Sequence, residues 1–562
     1  MDILTYLVVL LLAVCQPAYV RSQSGDDRRA FVCLNHTTNA IYVSTTSCRL
    51  NQIAQAHCRN SINQTGWATL EVETEAKFSD EIQAYAAGVA ESVTTNDLIY
   101  WHTLNTVAGY CAHVQAYCQR LKQYLEKNFE WMTTQIQKHP DSSYWHQVKL
   151  VLVQLAGLSD GYFGDVTSPH MKLDPFGIIM LQLGGDLMDL EKALKKPEDY
   201  MKHKKGSGSC SALIKPSPEN KDLFVAHDTW NTYQSMLRIL KLYKLNYRLT
   251  TAQTQSPIPA NAVSFSSYPG TLPSIDDFYL TSAGLAVTET TIENNNDTIL
   301  KFIKPVGSVL TWIRSQVATR LARSSRQWVQ LFKKRNSGTY NNQWMIVDYK
   351  KFRSNKPLTK SGLFYVLEQM PGLIKYADMT RYLAKQGYWP SYNVAFFPEI
   401  FNRSGQWQNV EKYGDFFSYH EAPRAKIFKR DWRSVVDMGS LQRLMRYNNY
   451  REDPLSACKC HPPYSGENAI SARCDLNPKN GTYPFPTLGH RSHGGIDMKA
   501  TTSQLFKRLQ FVAISGPTYD NLPAFRWSAA DFAQSTPHLA HPDLWMFRPI
   551  QHKWKTAFTV KH

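Results

Sequence analysis

At 562 residues the chain is too long for one small core, and its length calls for one large domain with insertions or two intimate halves. A hydrophobic share of 43% against 19% charged residues is that of a globular protein able to bury a sizeable core. The formal charge of +17 suits attraction to an anionic membrane surface or an acidic partner, or else a solvated surface tuned to an acidic lumen; the basic residues are scattered, with only short runs such as FKKR and KHKK, which excludes a nucleic-acid binder.

Residues 3–15, ILTYLVVLLLAVC, form an apolar run too short to span a bilayer, followed by Pro17 and the polar RSQSGDDRR. We read residues 1–22 as a secretory signal peptide. No later stretch reaches about 18 uninterrupted apolar residues, the length a membrane span needs. Five N-x-[ST] sequons, at Asn35, Asn63, Asn296, Asn402 and Asn480, fit glycosylation in the same pathway. The expected destination is the lysosome or the cell exterior.

Such a compartment is oxidising, and the cysteines divide unevenly. There are ten, and loss of Cys15 with the leader leaves an odd number, so at least one thiol stays free or pairs with another chain. Cys111 and Cys118 are near enough to close a small loop. Cys33, Cys48 and Cys58 cluster towards the N-terminus, and Cys458, Cys460 and Cys474 towards the C-terminus. Cys210 has no neighbour within about ninety residues and is the candidate free thiol, with a long-range disulfide or an inert buried thiol as the alternative. CKCHPPYSGENAISARC lacks the paired C-x2-C knuckles of structural zinc sites, so no metal is assigned there.

From Ser79 to Gly157 apolar residues recur at three- and four-residue spacing, predicting helices over EIQAYAAGVAESV, VQAYCQRLKQYLEKNFEWMTTQI and YWHQVKLVLVQLAG. Another helix is expected over GIIMLQLGGDLMDLEKAL. The basic, Gly/Ser-rich KKPEDYMKHKKGSGS then reads as an exposed flexible loop. Beyond it CSALIK and DLFVAHDTW read as antiparallel strands, NTYQSMLRILKLYKL as a helix with Tyr233, Leu237, Leu240 and Tyr243 on one face, and AVSFSSYPG, DFYLTSAGLAVTETTI and QWMIVDYKKF as further strands. VLTWIRSQVATRLARSSRQWVQLFKK predicts one more helix. Long helices interleaved with strands indicate layered α+β packing, helices over antiparallel sheets.

A lone cysteine becomes a nucleophile only with a lowered pKa or a base beside it. The papain-type C-G-[SA]-C-[WY] pattern is missing. Cutting the Ser209–Cys210 bond would instead place an α-amino group on the residue that carries the thiol, and the ordinary pKa of such a group, about 7.7–8.0, suits it to accept a proton. The flexible GSGS approach and the following strand are what such a self-cleavage requires. A competing pattern lies at Gly157–Gly161, where GLSDG fits the G-x-S-x-G nucleophile elbow with Ser159 as nucleophile, though nothing downstream has the helical period that elbow needs.

GSGSCSALIK, VAHDTW, SSYPGT, TYNNQWMIVDYK, YGDFFSYHEAPRAKIF, LMRYN, GENAISAR and RSHGGID, taken together and in order, resemble the phospholipase B-like family, from about Gly66 to Trp554. That resemblance implies an N-terminal-nucleophile hydrolase with a four-layer αββα sandwich, a precursor cut before Cys210, an N-terminal chain 23–209 rich in helices, and a C-terminal chain 210–562 that folds with it as one unit. By matching motif it implies Cys210 as nucleophile with Asn393 and Arg424 as catalytic partners, and His227, Asp228, Trp230 and Thr291 around the substrate pocket. Asn393 would supply an amide N–H to a developing oxyanion, and Arg424 a permanent cation that keeps the new amine basic or orients an acidic substrate group. Taken singly, each of these residues more often has a structural role, and it is the family resemblance that reverses that weighting. Two departures stand out. A member of the family has Asn after the pocket histidine, where Asp228 adds a charge. Its C-x2-C pair is here Cys458-Lys459-Cys460, whose bridge would be tight and which leaves Cys474 as a competing partner. The expected substrate is a lipid or N-acyl small molecule cleaved at an ester or amide without cofactor or metal; the alternative is a lipid- or partner-binding glycoprotein that keeps the fold without turnover.

Overall fold

A computed structural model describes residues 26–201, 210–251 and 256–555. The signal peptide, the GSGS approach with Ser209, and the extreme C-terminus lie outside the described residues.

Four strands open the described residues: β1 (Asp27–Asn35), β2 (Ala40–Ser44), β3 (Gln52–Ser61) and β4 (Trp67–Thr74). In β4 burial alternates from Ala68 to Thr74, the period-two pattern of a strand with one covered face. Three long helices follow, α1 (Asp80–Thr106), α2 (Gln115–Lys138) and α3 (Ser143–Phe163). Ser79 opens α1 by accepting from the Ile82 amide, with Asp80 and Glu81 in the first turn. α1 and α3 touch backbone to backbone: a Cβ on Gly88 would lie 2.0 Å from the Gln154 carbonyl oxygen, and one on Gly157 2.1 Å from that of Tyr85. The glycines of GLSDG therefore serve helix packing. Ser159 sits inside α3, no strand leads into it, and the nucleophile-elbow reading falls.

After residue 209 come β5 (Cys210–Pro216), β6 (Leu223–Thr232), β7 (Ile239–Lys244), β8 (Ala262–Ser267), β9 (Phe278–Thr281) and β10 (Leu285–Thr291). Helices α4 (Thr311–Leu321) and α5 (Ser325–Phe332) precede β11 (Asn342–Asp348), β12 (Phe364–Met370), β13 (Leu373–Asp378) and β14 (Trp389–Ser391). Then come α6 (Pro423–Asp431), α7 (Met438–Met445), β15 (His493–Gly495), β16 (Asp497–Thr501) and β17 (Val512–Ser515).

Three helix expectations are corrected. Residues 231–245 form a 3-10 turn and then β7. Leu240 and Leu242 face one sheet while Ile239 and Tyr243 face the helices, and a strand buried on both sides has too little alternation to be told from a helix by pattern. The run from Gly177 breaks at Gly184-Gly185 into two short helices, Ile179–Gln182 and Leu187–Ala193. The segment 309–334 divides into α4 and α5, Ser324 capping the second.

An 11-stranded sheet runs in the order β13-β12-β11-β10-β9-β8-β7-β4-β3-β1-β2, and strands from both sides of residue 209 meet in it at the parallel β4–β7 pair. A second sheet, β14-β5-β6-β16-β17 with Ile550–Gln551 at its edge, has β15 paired to the end of β6. The sheets face each other through Trp67, Leu240, Leu242 and Met345 on one side and Ala212, Ile214 and Val225 on the other. The outer face of the large sheet packs on α1, α3, α4 and α5, and that of the smaller sheet on α6 and α7 through Leu213, Phe224, Ala226 and Met498. The result is the expected α+β sandwich of four layers, αββα. Among the described residues no helix is long and apolar enough to cross a membrane.

Candidate active site

Cys210 is the first residue of β5 and pairs with Thr229 on β6, as the antiparallel reading of the two strands required. Alternation puts Cys210 and His227 on the face shared with Ala212, Ile214 and Val225, between the sheets, and Asp228 and Trp230 on the opposite face. The Cys210 thiol is unbridged, 4% exposed, and lines a cavity of about 420 Å³. Val107, Met180, Leu181, Met188 and Ile275 make one wall apolar; Trp230, Thr291, Tyr340, Arg491 and His493 contribute to the remainder.

Around Cys210 the backbone is held by two side chains from distant parts of the chain. Arg424, near the start of α6, donates from Nη1 to the Cys210 carbonyl at 2.7 Å and from Nη2 to Asn393 Oδ1 at 2.8 Å, while its guanidinium lies 4.3 Å from the Trp230 ring centre. Burial pulls its pKa down to about 10, and Glu467 is the strongest charge acting against that. Asn393 has φ of 70°, a left-handed conformation that Asn adopts more readily than most residues. Its Oδ1 accepts from the Cys210 backbone N–H at 3.4 Å, and its Nδ2 donates to the Thr291 carbonyl at 2.8 Å. One hydrogen of the amide expected to face an oxyanion is therefore engaged with Thr291 in the uncut chain.

Cys210, His227 and Glu289 converge, with sulfur, ring nitrogen and carboxylate oxygen all within 4.8 Å of one another. Glu289 projects from β10 past the last residue that β9 covers. Burial pushes the Cys210 thiol and the Glu289 carboxyl well above their usual ranges and holds the His227 imidazole neutral, with Lys499 acting in the same direction on the histidine. Beneath them lies a fully buried ion network. Lys499 Nζ donates to Asp497 at 2.6 and 2.8 Å and to Thr229 Oγ1 at 2.6 Å, and Arg238 bonds Asp497 at 2.6 Å and also Asp276. Two cations and two carboxylates balance there.

Of the residues singled out by sequence, Cys210, Trp230 and Thr291 line the cavity; Asn393 and Arg424 lie one layer behind; His227 is buried beside the thiol. Asp228 points the other way, and burial pushes its carboxyl well above the usual range, with Asp497 acting in the same direction. Its neighbour explains the RSHGGID motif: a Cβ on Gly495 would come within 2.7 Å of Asp228 Oδ1, and one on Gly494 within 2.3 Å of the Ala472 carbonyl. Glu289, Thr229, Lys499, Tyr340, Arg491 and His493 were not assigned roles from sequence. The charged members of strands read as solvent-facing when the second sheet is not in view.

The cysteines resolve into Cys33–Cys48, Cys111–Cys118 and Cys458–Cys460 bridges, with Cys58, Cys210 and Cys474 free and buried. The free thiol expected at Cys210 is thus joined by two others among the described residues. Cys474 loses the competition for a bridge and donates instead to Glu467 Oε2 at 2.7 Å. Asn35, Asn63, Asn402 and Asn480 are exposed and Asn296 is half-buried.

The phospholipase B family model matches residues 54–552. The chain belongs to the phospholipase B family. Among its relatives, the proteins named putative phospholipase B-like 2 from Mus musculus and Homo sapiens are each 50% identical over 508 residues, covering 89% of this chain and 85% and 86% of theirs. Phospholipase B-like protein B from Dictyostelium discoideum is 37% identical over 504 residues, covering 88% of this chain and 84% of its own. Among solved structures, a mutant conjugated bile acid hydrolase from Clostridium perfringens aligns at a TM-score of 0.31 and 10% identity, over 63% of this chain and 99% of that one.

Proposed function

We propose that this phospholipase B family member is a hydrolase of the N-terminal-nucleophile type, activated by scission of the Ser209–Cys210 bond and acting on an ester or amide of a lipid or N-acyl substrate. One observation carries this reading: the unbridged Cys210 thiol opens a strand on the wall of a cavity, with its backbone N and O clamped by Asn393 and Arg424. In the uncut chain a buried, protonated thiol is inert. Scission would leave an α-amine where the amide now donates to Asn393 Oδ1, so the amide oxygen would orient the amine and its lone pair. The nearby Arg424 charge would keep that amine neutral and basic. It would take the thiol proton as sulfur attacks the substrate carbonyl, return it to the leaving alcohol or amine, and serve again when water releases the acyl group. The apolar wall from Val107 to Ile275 suits an acyl chain. Secretion, glycosylation at the five sequons and residence in an acidic compartment belong to the same proposal.

Mass spectrometry of the secreted protein tests it. A fragment beginning at Cys210 is expected from the wild type and not from Cys210→Ala. Intact wild type would overturn the maturation step, and equal hydrolysis of phospholipids and N-acyl amides by both proteins would favour a binding glycoprotein without turnover.

A further inference from the structure

The trio around the nucleophile has the composition of a metal site. A thiol, an imidazole and a carboxylate are the ligand types that Zn2+ takes, and all three donor atoms already lie within 4.8 Å of one another. All three residues are almost wholly buried, so they are held by packing. Independently of that clustering, His227 Nε2 is buried with no hydrogen-bond partner, while Nδ1 stands 3.4 Å from Thr229 Oγ1. A buried imidazole nitrogen without a partner is costly unless something binds it. The neighbouring cations are compensated: Lys499 is engaged by Asp497, and Arg238 by Asp497 and Asp276. A thiolate and a carboxylate would match the charge of one dication. Cys210 and Glu289 both line the cavity, which supplies the entry path.

We propose that Cys210 Sγ, His227 Nε2 and Glu289 form a binding site for a borderline-soft divalent cation, with Zn2+ as the fitting ion, and that occupancy blocks the nucleophile. Tetrahedral Zn–S and Zn–N bonds of about 2.3 and 2.0 Å put donor atoms roughly 3.5 Å apart, so the three groups, now within 4.8 Å of one another, close inward on the ion. Coordination replaces the S–H bond by a Zn–S bond and releases that proton, together with any held by the Glu289 carboxyl, to solvent, so the sulfur electron pair that would attack a carbonyl is occupied. After scission the α-amine of Cys210 would provide a fourth ligand on the same residue, making the mature protein the tighter binder. The inhibitory consequence rests on Cys210 being the nucleophile; the binding does not.

The test uses the full-length secreted protein and Co2+ as a spectroscopic stand-in for Zn2+. The expected result is one Co2+ per chain with a thiolate-to-cobalt charge-transfer band, displaced by Zn2+, lost in Cys210→Ala and retained in Cys474→Ala. His227→Gln and Glu289→Gln should each weaken Zn2+ by more than about 100-fold, the upper end for changes outside the ligand shell. Near-UV circular dichroism identifies any variant that has lost its packing, and the small Cys210→Ala change keeps the test decisive if His227→Gln does not fold. Absence of the band overturns the proposal, as does a band that survives Cys210→Ala and disappears in Cys474→Ala, or Zn2+ affinity unchanged in folded His227→Gln. A chain that is never cut and hydrolyses nothing, yet shows the band at Cys210, would overturn the hydrolase reading and leave the metal site standing.

Discussion

Two buried Cys–His–Glu trios occur among the described residues, and they differ in what their groups are already doing. In the loop-borne trio, Cys474 Sγ donates to Glu467 Oε2 at 2.7 Å, Arg491 Nη2 donates to the same oxygen at 2.7 Å, and His493 Nδ1 stands 3.9 Å from the sulfur. In the strand-borne trio, Cys210 opens β5 on the cavity, His227 keeps a nitrogen without a partner, and Glu289 is engaged by Tyr340 at 3.2 Å. Residue type therefore does not distinguish a structural thiol from a chemical one. Access to a cavity and an unpartnered ring nitrogen do, and here both belong to the Cys210 trio.

The largest expected effect separates the trios directly. Cys210→Ala should abolish chain scission and lower turnover by on the order of 10⁴-fold or more, while Cys474→Ala leaves both intact, read by mass spectrometry and product formation. The converse outcome would exchange the roles of the two thiols.

Next in size is the ion network that supports the strand-borne trio; Cys474 has buried ion pairs of its own beside it, Arg491–Glu467 and Arg473–Asp475. Asp497→Asn leaves Lys499 and Arg238 short of a buried counter-charge and should cost about 3–5 kcal/mol in urea unfolding. Arg424→Lys tests the clamp instead: lysine lacks the fork that reaches both the Cys210 carbonyl and Asn393, so scission should slow by roughly 10²-fold with little change in stability.

A smaller effect is set by pH. Burial raises Asp189, Asp277 and Glu368 to about 7 in the folded protein, whereas each titrates near 4 when unfolded. The folded state thus binds more protons between about pH 4 and 7. The stability these groups contribute is complete below the unfolded values and is lost as pH rises through 7, by on the order of 1 kcal/mol or more per group. Unfolding temperature should fall from pH 5 to pH 8; a flat or rising profile would show that these carboxyls ionise freely. Of similar size is Gly495→Ala, which crowds Ser471 Oγ and Asp228 and should cost about 1–3 kcal/mol while sparing the cavity face.

How much is readable in advance follows from how far each signal reaches. The long helices α1, α2 and α3 announce themselves by apolar spacing, and the antiparallel β5–β6 pair by short apolar runs around a turn. β7 does not, because both its faces are buried and Arg238 and Lys241 within or beside it are paired out of sight with Asp497 and Glu91. The alternation in β4 is a local signal of the ordinary kind and would have located that strand. Cys210, Arg424 and Asn393 can be named together only because ordered motifs match a family; nothing local in Ala-Pro-Arg-Ala-Lys places a guanidinium on the Cys210 carbonyl 214 positions away.

By itself the chain's sequence determined the layer class, the isolation of Cys210 from cysteine neighbours, and family membership, since hydrophobic period, cysteine spacing and ordered motifs are carried along the chain. Tertiary structure alone decided which of three free thiols meets a cavity, that Asp228 is buried away from that cavity with its carboxyl pushed up, and that Glu289 joins Cys210 and His227. Those outcomes depend on burial and on contacts between two sheets, and neither the dielectric around a group nor its partner across a layer is written in the residues next to it.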